Sequence, residues 1–520
     1  MAPGVARCHG PPVSDARSQV LGRVHLLGAG PGDPELITVR ARRRLAEADL
    51  VLYDALVHPE LLEHCRPDAE LVFVGKRAGK PSERQERINE RLVEAARAGK
   101  IVARLKGGDP YLFGRGTEEA EVLAAAGIPF EVVPGVPSPL AATAYAGLSL
   151  THRDLASSVA YLTATESPSK DRTSHDWAKL ANGPGTLVIF MGMRKLDSLM
   201  ALLVEHGRPP ETPVAVVQWA SLPRQRTVVG TVADIADEAA GLGLPSLIIV
   251  GEVVRLREKL RFFDSRPLFG KTVLVPREPA RARPTLQRLR DASAQPLAAA
   301  AFTLEPPADP AALQAAVDAA ASYDWILFTS APAVQAFADA MGDRDARHLG
   351  QARVAAVGAK TAAALLRAHV RADLVAEDAH AEGLLGALRR ELTGPARFLF
   401  PRAAQGRDVL VDGLRAEGHE VDLVAAYRNV AVTGPELHRL REAIEAADAI
   451  LVTSGSVVRS LVAAVGAEAL AGAEAPILAS IGPVTTRALA AAGLSATVEA
   501  PEASLDALVD ALESHYAEVR

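Results

Sequence analysis

Two glycine-rich stretches in the first half of the chain carry residue types able to hold a small molecule. Arg104-Leu105-Lys106-Gly107-Gly108-Asp109-Pro110 continues to Phe113-Gly114-Arg115-Gly116-Thr117-Glu118-Glu119. Adjacent glycines let a ligand approach the backbone closely, and the Asp109 carboxylate could accept hydrogen bonds from a ribose or an amino group. A glycine turn with an N-cap aspartate is the alternative reading. Gly28-Ala29-Gly30-Pro31-Gly32-Asp33 follows a strand pattern, as a dinucleotide loop would. Pro31 lacks the amide a pyrophosphate would use, and Asp33 would repel phosphate at a helix start. A ligand without phosphate, contacted by backbone, is the better fit. In the second half, strand patterns end in Thr329-Ser330, Gly358, Thr453-Ser454-Gly455 and Gly482-Pro483. Ligands of parallel sheets gather at such ends, so these turns are candidate contacts, with turn chemistry alone as the alternative. That half contains no Ser-His-Asp set, metal-ligand spacing or phosphate loop, so its chemistry is gentle or absent.

These stretches sit in a repeating strand and helix pattern. Val24–Gly28, Leu50–Tyr53, Leu71–Val74 and Ile101–Leu105 read as short buried strands, with helical patterns at Pro34–Ala48 and Arg84–Ala98. After Leu150-Thr151-His152-Arg153-Asp154 the pattern restarts with Val159–Thr163, Thr186–Met191, Pro213–Gln218 and Ser246–Val250, which suggests two lobes. A charged helical tail, Val253–Arg261, then leads to a boundary near Arg266. Beyond it, Thr272–Val275, Trp325–Thr329, Arg353–Val357, Arg397–Phe400, Ala449–Thr453 and Pro476–Ser480 alternate with alanine-rich helices, the pattern of paired doubly wound α/β lobes. At 520 residues the chain exceeds the size at which single cores stop growing, so several domains are expected. No apolar run approaches a membrane span, and the first residues lack the apolar core of a secretory signal and read as a flexible tail. Cys8 and Cys65 are the only cysteines, too few for a disulfide framework or zinc cluster, and a reducing cytoplasm fits best. A net charge of −6 argues against a nucleic-acid surface.

From about Gly22 to Arg261 the chain resembles uroporphyrinogen-III C-methyltransferases of the tetrapyrrole methylase family. The motifs are GAGPGDPELIT (Gly28–Thr38), YDALV (Tyr53–Val57), VGKRAG (Val74–Gly79), RLKGGDPYLFGRGTEEA (Arg104–Ala120), GIPFEVVPGV (Gly127–Val136) and LTHRD (Leu150–Asp154). The resemblance implies S-adenosylmethionine as methyl donor, S-adenosylhomocysteine as product, and no metal. It implies a cofactor site at Pro31, Gly107, Gly108, Asp109, Leu112, Pro137, Ser138, Met191 and Ala220. Asp54 matches the family's proton acceptor and Lys76 its proton donor. Arg115 and Arg153, with Arg77 as a looser choice, match anchors for substrate carboxylates, and Glu118 a group that bonds pyrrole N–H. The chain departs from the family at Pro137-Ser138, where Thr-Ala or Ser-Ala is usual, at Ala220, where glycine is usual, and at Ala55, where arginine is usual.

From Leu268 onward the chain resembles uroporphyrinogen-III synthases through YDWILFTSAPAVQAF (Tyr323–Phe337), VAAVGAKTAAAL (Val354–Leu365), Phe398–Asn429, ILVTSGSVV (Ile450–Val458) and SIGPVTTRALAAAGL (Ser480–Leu494). That family implies two doubly wound lobes on a two-stranded hinge, lobe 1 from 268–303 plus 428–520 and lobe 2 from 304–427. It implies Tyr427 as an aid to hydroxide departure from hydroxymethylbilane, and Ser330, Gly358, Ser454 and Thr485 as substrate contacts in one cleft.

Together the resemblances imply a tail at 1–21, a two-lobed methyltransferase at 22–262, a linker at 263–267 and a synthase at 268–520. The expected function is conversion of hydroxymethylbilane to uroporphyrinogen III and its methylation at C-2 and C-7 to precorrin-2, which leads towards sirohaem or cobalamin. The alternative is a methylase of another corrin-pathway intermediate fused to a non-catalytic tetrapyrrole-sensing module. Expected partners are tetrapyrrole substrates and a second copy, in a homodimer through the methyltransferase, with no nucleic acid or membrane.

Overall fold

The computed structural model describes residues 21–75, 83–165, 174–378, 380–405 and 408–519. Two units emerge: one runs to Lys271 and includes Arg290–Gln295, and the other comprises Thr272–Leu289 and Pro296–Arg520. Among the described residues no helix is long and apolar enough to cross a membrane.

The first unit begins with five strands, β1 (Arg23–Gly28), β2 (Leu50–Tyr53), β3 (Glu70–Phe73), β4 (Ile101–Lys106) and β5 (Phe130–Val133). Their order is β3-β2-β4-β1-β5, every pairing parallel. Helices α1 (Val39–Glu47), α2 (Gln85–Arg97) and α3 (Gly116–Ala125) cover the sheet. Strand side chains alternate between faces, which separates two cores. Val24, Leu26, Leu50, Leu52 and Val102 pack with Ile88 and Leu92 of α2 and Leu123 of α3. Leu27, Val51, Ala103 and Leu105 pack with Ala41 and Leu45 of α1. The helix expected over Pro34–Ala48 is shorter than its pattern. Pro34–Leu36 forms one 3₁₀ turn capped by Asp33, Ile37 is extended, and Thr38 caps α1 by accepting from the Ala41 amide at 3.2 Å.

Helix α4 (Ser138–Tyr145) leads to the second lobe of this unit, with β6 (Val159–Thr163), β7 (Thr186–Phe190), β8 (Pro213–Gln218), β9 (Arg226–Thr231) and β10 (Ser246–Val250). The order is β6-β7-β10-β8-β9. Only β6 and β7 are parallel; the remaining pairs are antiparallel, so this lobe is mixed rather than a second parallel sheet. Strand β9 escaped the sequence reading because it is a partly exposed edge strand without a continuous apolar run. The short connection from Gln218 to Arg226 returns the chain as a hairpin, whereas a parallel neighbour would require a long crossover.

The second unit holds two sheets. One comprises β11 (Thr272–Val275), β12 (Gln295–Ala298), β19 (Ala449–Val452), β20 (Ile477–Ser480) and β21 (Val498–Glu499), ordered β12-β11-β19-β20-β21. The other comprises β13 (Phe302–Glu305), β14 (Trp325–Phe328), β15 (Arg353–Ala356), β16 (Leu374–Val375), β17 (Arg397–Ala403) and β18 (Glu420–Ala431), ordered β13-β18-β17-β14-β15-β16. β18 runs parallel to β17 through Tyr427, then pairs antiparallel with β13 from Arg428 to Ala431. β13 and the end of β18 are thus a two-stranded connection between lobes built from both ends of the unit.

Candidate functional site

In the first unit a cleft of about 550 Å³ opens where loops of both lobes meet. Its floor is a backbone crossing. Gly30 and Gly108 exchange N–H to carbonyl bonds at 3.2 and 2.6 Å. A Cβ on Gly28 would lie 2.4 Å from the Gly135 Cα, and one on Gly135 would lie 2.2 Å from the Gly108 carbonyl oxygen. Only glycine permits three strand ends to approach so closely. Gly108 has φ of +69°, and a Cβ there would meet nothing nearer than the Ser138 amide nitrogen at 3.9 Å, so its bare Cα faces open space.

All nine residues expected at the cofactor site line this cleft: Pro31, Gly107, Gly108, Asp109, Leu112, Pro137, Ser138, Met191 and Ala220. The carboxylate of Asp109 is also structural, accepting from the Tyr111 amide at 2.8 Å and the Gly135 amide at 3.0 Å, which ties two rim loops together. Asp33, which the sequence suggested would repel a phosphate, accepts from the Tyr145 hydroxyl at 2.8 Å while its amide donates to the Ser221 hydroxyl at 3.0 Å. Burial, with the Asp33 charge beside it, pushes the Tyr145 hydroxyl pKa well up, so this clasp between glycine loop and second lobe stays neutral on its donor side.

Wall residues not anticipated from sequence include Phe113, Phe190, Trp219, Arg224 and His58. The Phe113 and Phe190 rings meet at 4.7 Å, and the Arg224 guanidinium lies 3.7 Å from the Trp219 ring centroid. Burial holds the His58 imidazole below its ordinary pKa and so favours its neutral form. Phe113, Met191 and Trp219 all have positive φ, as do the flanking Arg115 and Ser221. Such backbone is costly for residues with a side chain, and its concentration around one cleft marks a functional region.

Asp54 lies at the carboxyl end of β2, next to the cleft residues Ala55 and Leu56. Its Oδ1 accepts from Arg104 at 2.6 Å. Arg104, Lys106 and Glu119 form a buried charged cluster behind it that the sequence reading passed over. A signal was present: two cations alternate in a strand otherwise suited to burial on both faces, and such charges demand partners. Burial opposes the Arg104 charge, but the carboxylates of Asp54 and Glu119 outweigh it and raise the pKa. Burial, then the charge of Arg104, holds the Lys106 ammonium below the ordinary lysine value. Arg115 and Glu118, expected substrate contacts, bond each other at 2.6 Å on the exposed first turn of α3, which lowers the Glu118 pKa. Arg153 stands exposed in the turn closed by the His152 to Ala156 bridge. Lys76 and Arg77 lie outside the described residues.

In the second unit the expected contacts form a repeated arrangement. Ser330 follows β14 and Gly358 follows the adjacent parallel strand β15; Ser454 follows β19 and Gly482 follows its parallel neighbour β20. Both serines cap helices, Ser330 accepting from the Ala333 amide and Ser454 from the Val457 amide, each at 3.3 Å. The turn chemistry is therefore real, whatever else these residues do. The Tyr427 hydroxyl lies 3.2 Å from the Ser330 hydroxyl, which joins two expected site residues directly. Thr485 is buried in the first turn of the helix Pro483–Ala491 rather than out on the surface.

Comparisons with known proteins follow the division into units. The family Tetrapyrrole (Corrin/Porphyrin) Methylases matches residues 23–236, and Uroporphyrinogen-III synthase HemD matches residues 284–510. Siroheme synthase 2 of Aeromonas hydrophila subsp. hydrophila is 51% identical over 249 residues, 48% of this chain and 53% of that protein. The chain spans about half the length of the curated relatives it matches. Among solved structures, uroporphyrin-III C-methyl transferase from Thermus thermophilus, complexed with S-adenyl homocysteine, is 43% identical with a TM-score of 0.40; the match covers 45% of this chain and 100% of that one. A mutant uroporphyrinogen III synthase from Thermus thermophilus matches at 21% identity and a TM-score of 0.37, covering 48% of this chain and 100% of that one. Two family matches, one in each half of the sequence, make this chain a fusion that belongs to the tetrapyrrole methylases in its first part and to the uroporphyrinogen-III synthases in its second.

Proposed function

We propose that the second unit closes hydroxymethylbilane to uroporphyrinogen III and that the first methylates this product at C-2 and C-7 to precorrin-2, with S-adenosylmethionine as donor and S-adenosylhomocysteine as by-product. The methylase would occupy 22–262 and the synthase 268–520. The observation that carries the reading is the single cleft that gathers all nine expected cofactor residues around a bare glycine Cα. Its volume suits a ligand of that size, and its exposed main chain suits a donor with no phosphate. Bound there, the sulfonium would supply an electrophilic methyl group.

The chain's own part is to orient the macrocycle and move protons as ring carbons become tetrahedral. Asp54 accepts a proton at the cleft edge, and Lys76 returns one. Arg115 and Arg153 hold substrate carboxylates. For Arg115 this means exchanging Glu118, a cheap trade because exposed ion pairs contribute little; Glu118 is then free for pyrrole N–H. In the second unit Tyr427, bonded to Ser330, assists the leaving hydroxide, while Gly358, Ser454 and Thr485 shape the bilane. The protein works in the cytoplasm as a homodimer through the methyltransferase, and acts on neither nucleic acid nor membrane.

Incubating the whole chain anaerobically with hydroxymethylbilane and S-adenosylmethionine, then resolving products by mass and isomer, tests both parts. The expected product is doubly methylated and of type III. Isomer I alone would sink the synthase reading, and an unmethylated type III product would sink the methylase reading.

A further inference from the structure

Strand alternation places residues 50 and 52 of β2, with 54 just past its end, and 102, 104 and 106 of β4 on the face covered by α2 and α3, with Leu52 beside Arg104 in register. Along this face the side chains are apolar at Leu50, Leu52 and Val102, then turn charged at the strand ends. Arg104, Lys106 and Glu119 are only 2%, 3% and 0% exposed. Arg104 Nε donates to Glu119 Oε1 at 3.1 Å, its second terminal nitrogen donates to Asp54 Oδ1 at 2.6 Å, and its first lies 3.4 and 3.3 Å from the carbonyls of Leu52 and Leu105. Lys106 and Gln85 donate to the same Glu119 oxygen at 2.9 and 3.0 Å, while Glu119 Oε2 has no partner among the described residues.

Such a cluster is a poor way to stabilise a core. Desolvating each ion costs several kcal/mol, and apolar residues of similar volume are often as stable. Asp54 differs from the rest: its side chain is 30% exposed and the next residue, Ala55, lines the cleft, while Arg104 bonds only one of its oxygens. The arrangement resembles a catalytic group held by a support locked from behind.

We propose that Arg104 is a positioning residue for Asp54: clamped by Glu119 and two strand carbonyls, it fixes one carboxylate oxygen and leaves the other to face the substrate. This rests on the reading of Asp54 as proton acceptor. Among the described residues, the charged groups around Asp54 are Arg104 and Lys106 on β4 and Glu119 on α3; Arg115 and Glu118 form their own pair farther along. Arg104 never meets the substrate in this scheme, and its loss acts through Asp54.

The test measures methyl transfer to uroporphyrinogen III, with S-adenosylhomocysteine affinity by calorimetry, for the full chain and its Asp54→Asn, Arg104→Met and Arg104→Lys variants. Asp54→Asn should lose about 10²-fold or more in kcat with affinity intact. Arg104→Met should lose about as much kcat with KM and S-adenosylhomocysteine affinity unchanged, because nothing then fixes the carboxylate. Arg104→Lys should recover part of that kcat, with KM again unchanged, since a single ammonium reaches Asp54 but cannot replace the fork spanning Asp54 and Glu119. Wild-type kcat in Asp54→Asn would overturn the reading of Asp54 itself. An inactive Asp54→Asn beside wild-type kcat in Arg104→Met, or full kcat in Arg104→Lys, would overturn the positioning role alone. Loss of S-adenosylhomocysteine binding in both arginine variants would assign Arg104 to the fold and also overturn it.

Discussion

The two units handle polar side chains in opposite ways. In the first, Asp54, Arg104, Lys106 and Glu119 are drawn into the protein and paired, beside a cleft whose rim holds Phe113, Met191 and Trp219 at positive φ. In the second, Ser330 and Ser454 sit at helix starts, half-buried, bonded to their own first turns, and Tyr427 adds a hydroxyl to one of them. The difference follows from the work proposed for each. Methyl transfer to a ring carbon needs charge placed against developing charge, and a dry, strained setting holds it there. Closure of a bilane that ionises by itself needs shape more than charge, and strand ends with small hydroxyls and bare amides provide it.

The contrast is broken most sharply at Glu119. Glu119→Leu leaves Arg104 and Lys106 buried with only Asp54 as counter-charge, and should destabilise the first unit by about 3–5 kcal/mol. Differential scanning calorimetry should show one transition move down while bilane cyclisation by the second unit persists. A single transition shifting whole would show that the units do not unfold independently.

Glycines sharpen the same point at a lower level. Gly135→Ala drives a Cβ to 2.2 Å from a main-chain oxygen that cannot yield without opening the cleft floor, and should cost roughly 1–3 kcal/mol and most of the S-adenosylhomocysteine affinity. Gly493→Ala in the second unit has positive φ but open surroundings, so only backbone strain of about 1 kcal/mol is expected, with activity kept. Equal effects from the two, read by thermal melts and calorimetry, would argue against a special crossing.

A smaller catalytic effect is expected at Tyr427. Tyr427→Phe removes one hydroxyl from a reaction whose substrate supplies its own driving force, so type III formation should slow by about 10-fold, against the larger factor expected for an acid or base in concerted proton transfer. A loss of several thousandfold in a cyclisation assay would place strong acid catalysis in the second unit and erase the distinction.

What could be read ahead of the structure divides along a physical line. Pro31, Gly107, Gly108, Asp109 and Pro137-Ser138 are turn residues at strand ends, where residue type reports local backbone, so the sequence alone determined that main chain would be bared in a cleft and that strands would alternate with helices. The same local logic marked Ser330 and Ser454. It failed for β9, whose strand is an exposed edge, and for Pro34–Ala48, where a 3₁₀ turn and an extended residue precede the helix. Only the tertiary structure decided that Asp54 would meet Arg104, fifty positions away, and Glu119 behind it, or that Trp219 and Arg224 would line the same cleft as Gly108. Those encounters depend on strand order, register and face, which arise from how whole sheets pack and which no local stretch of chain contains.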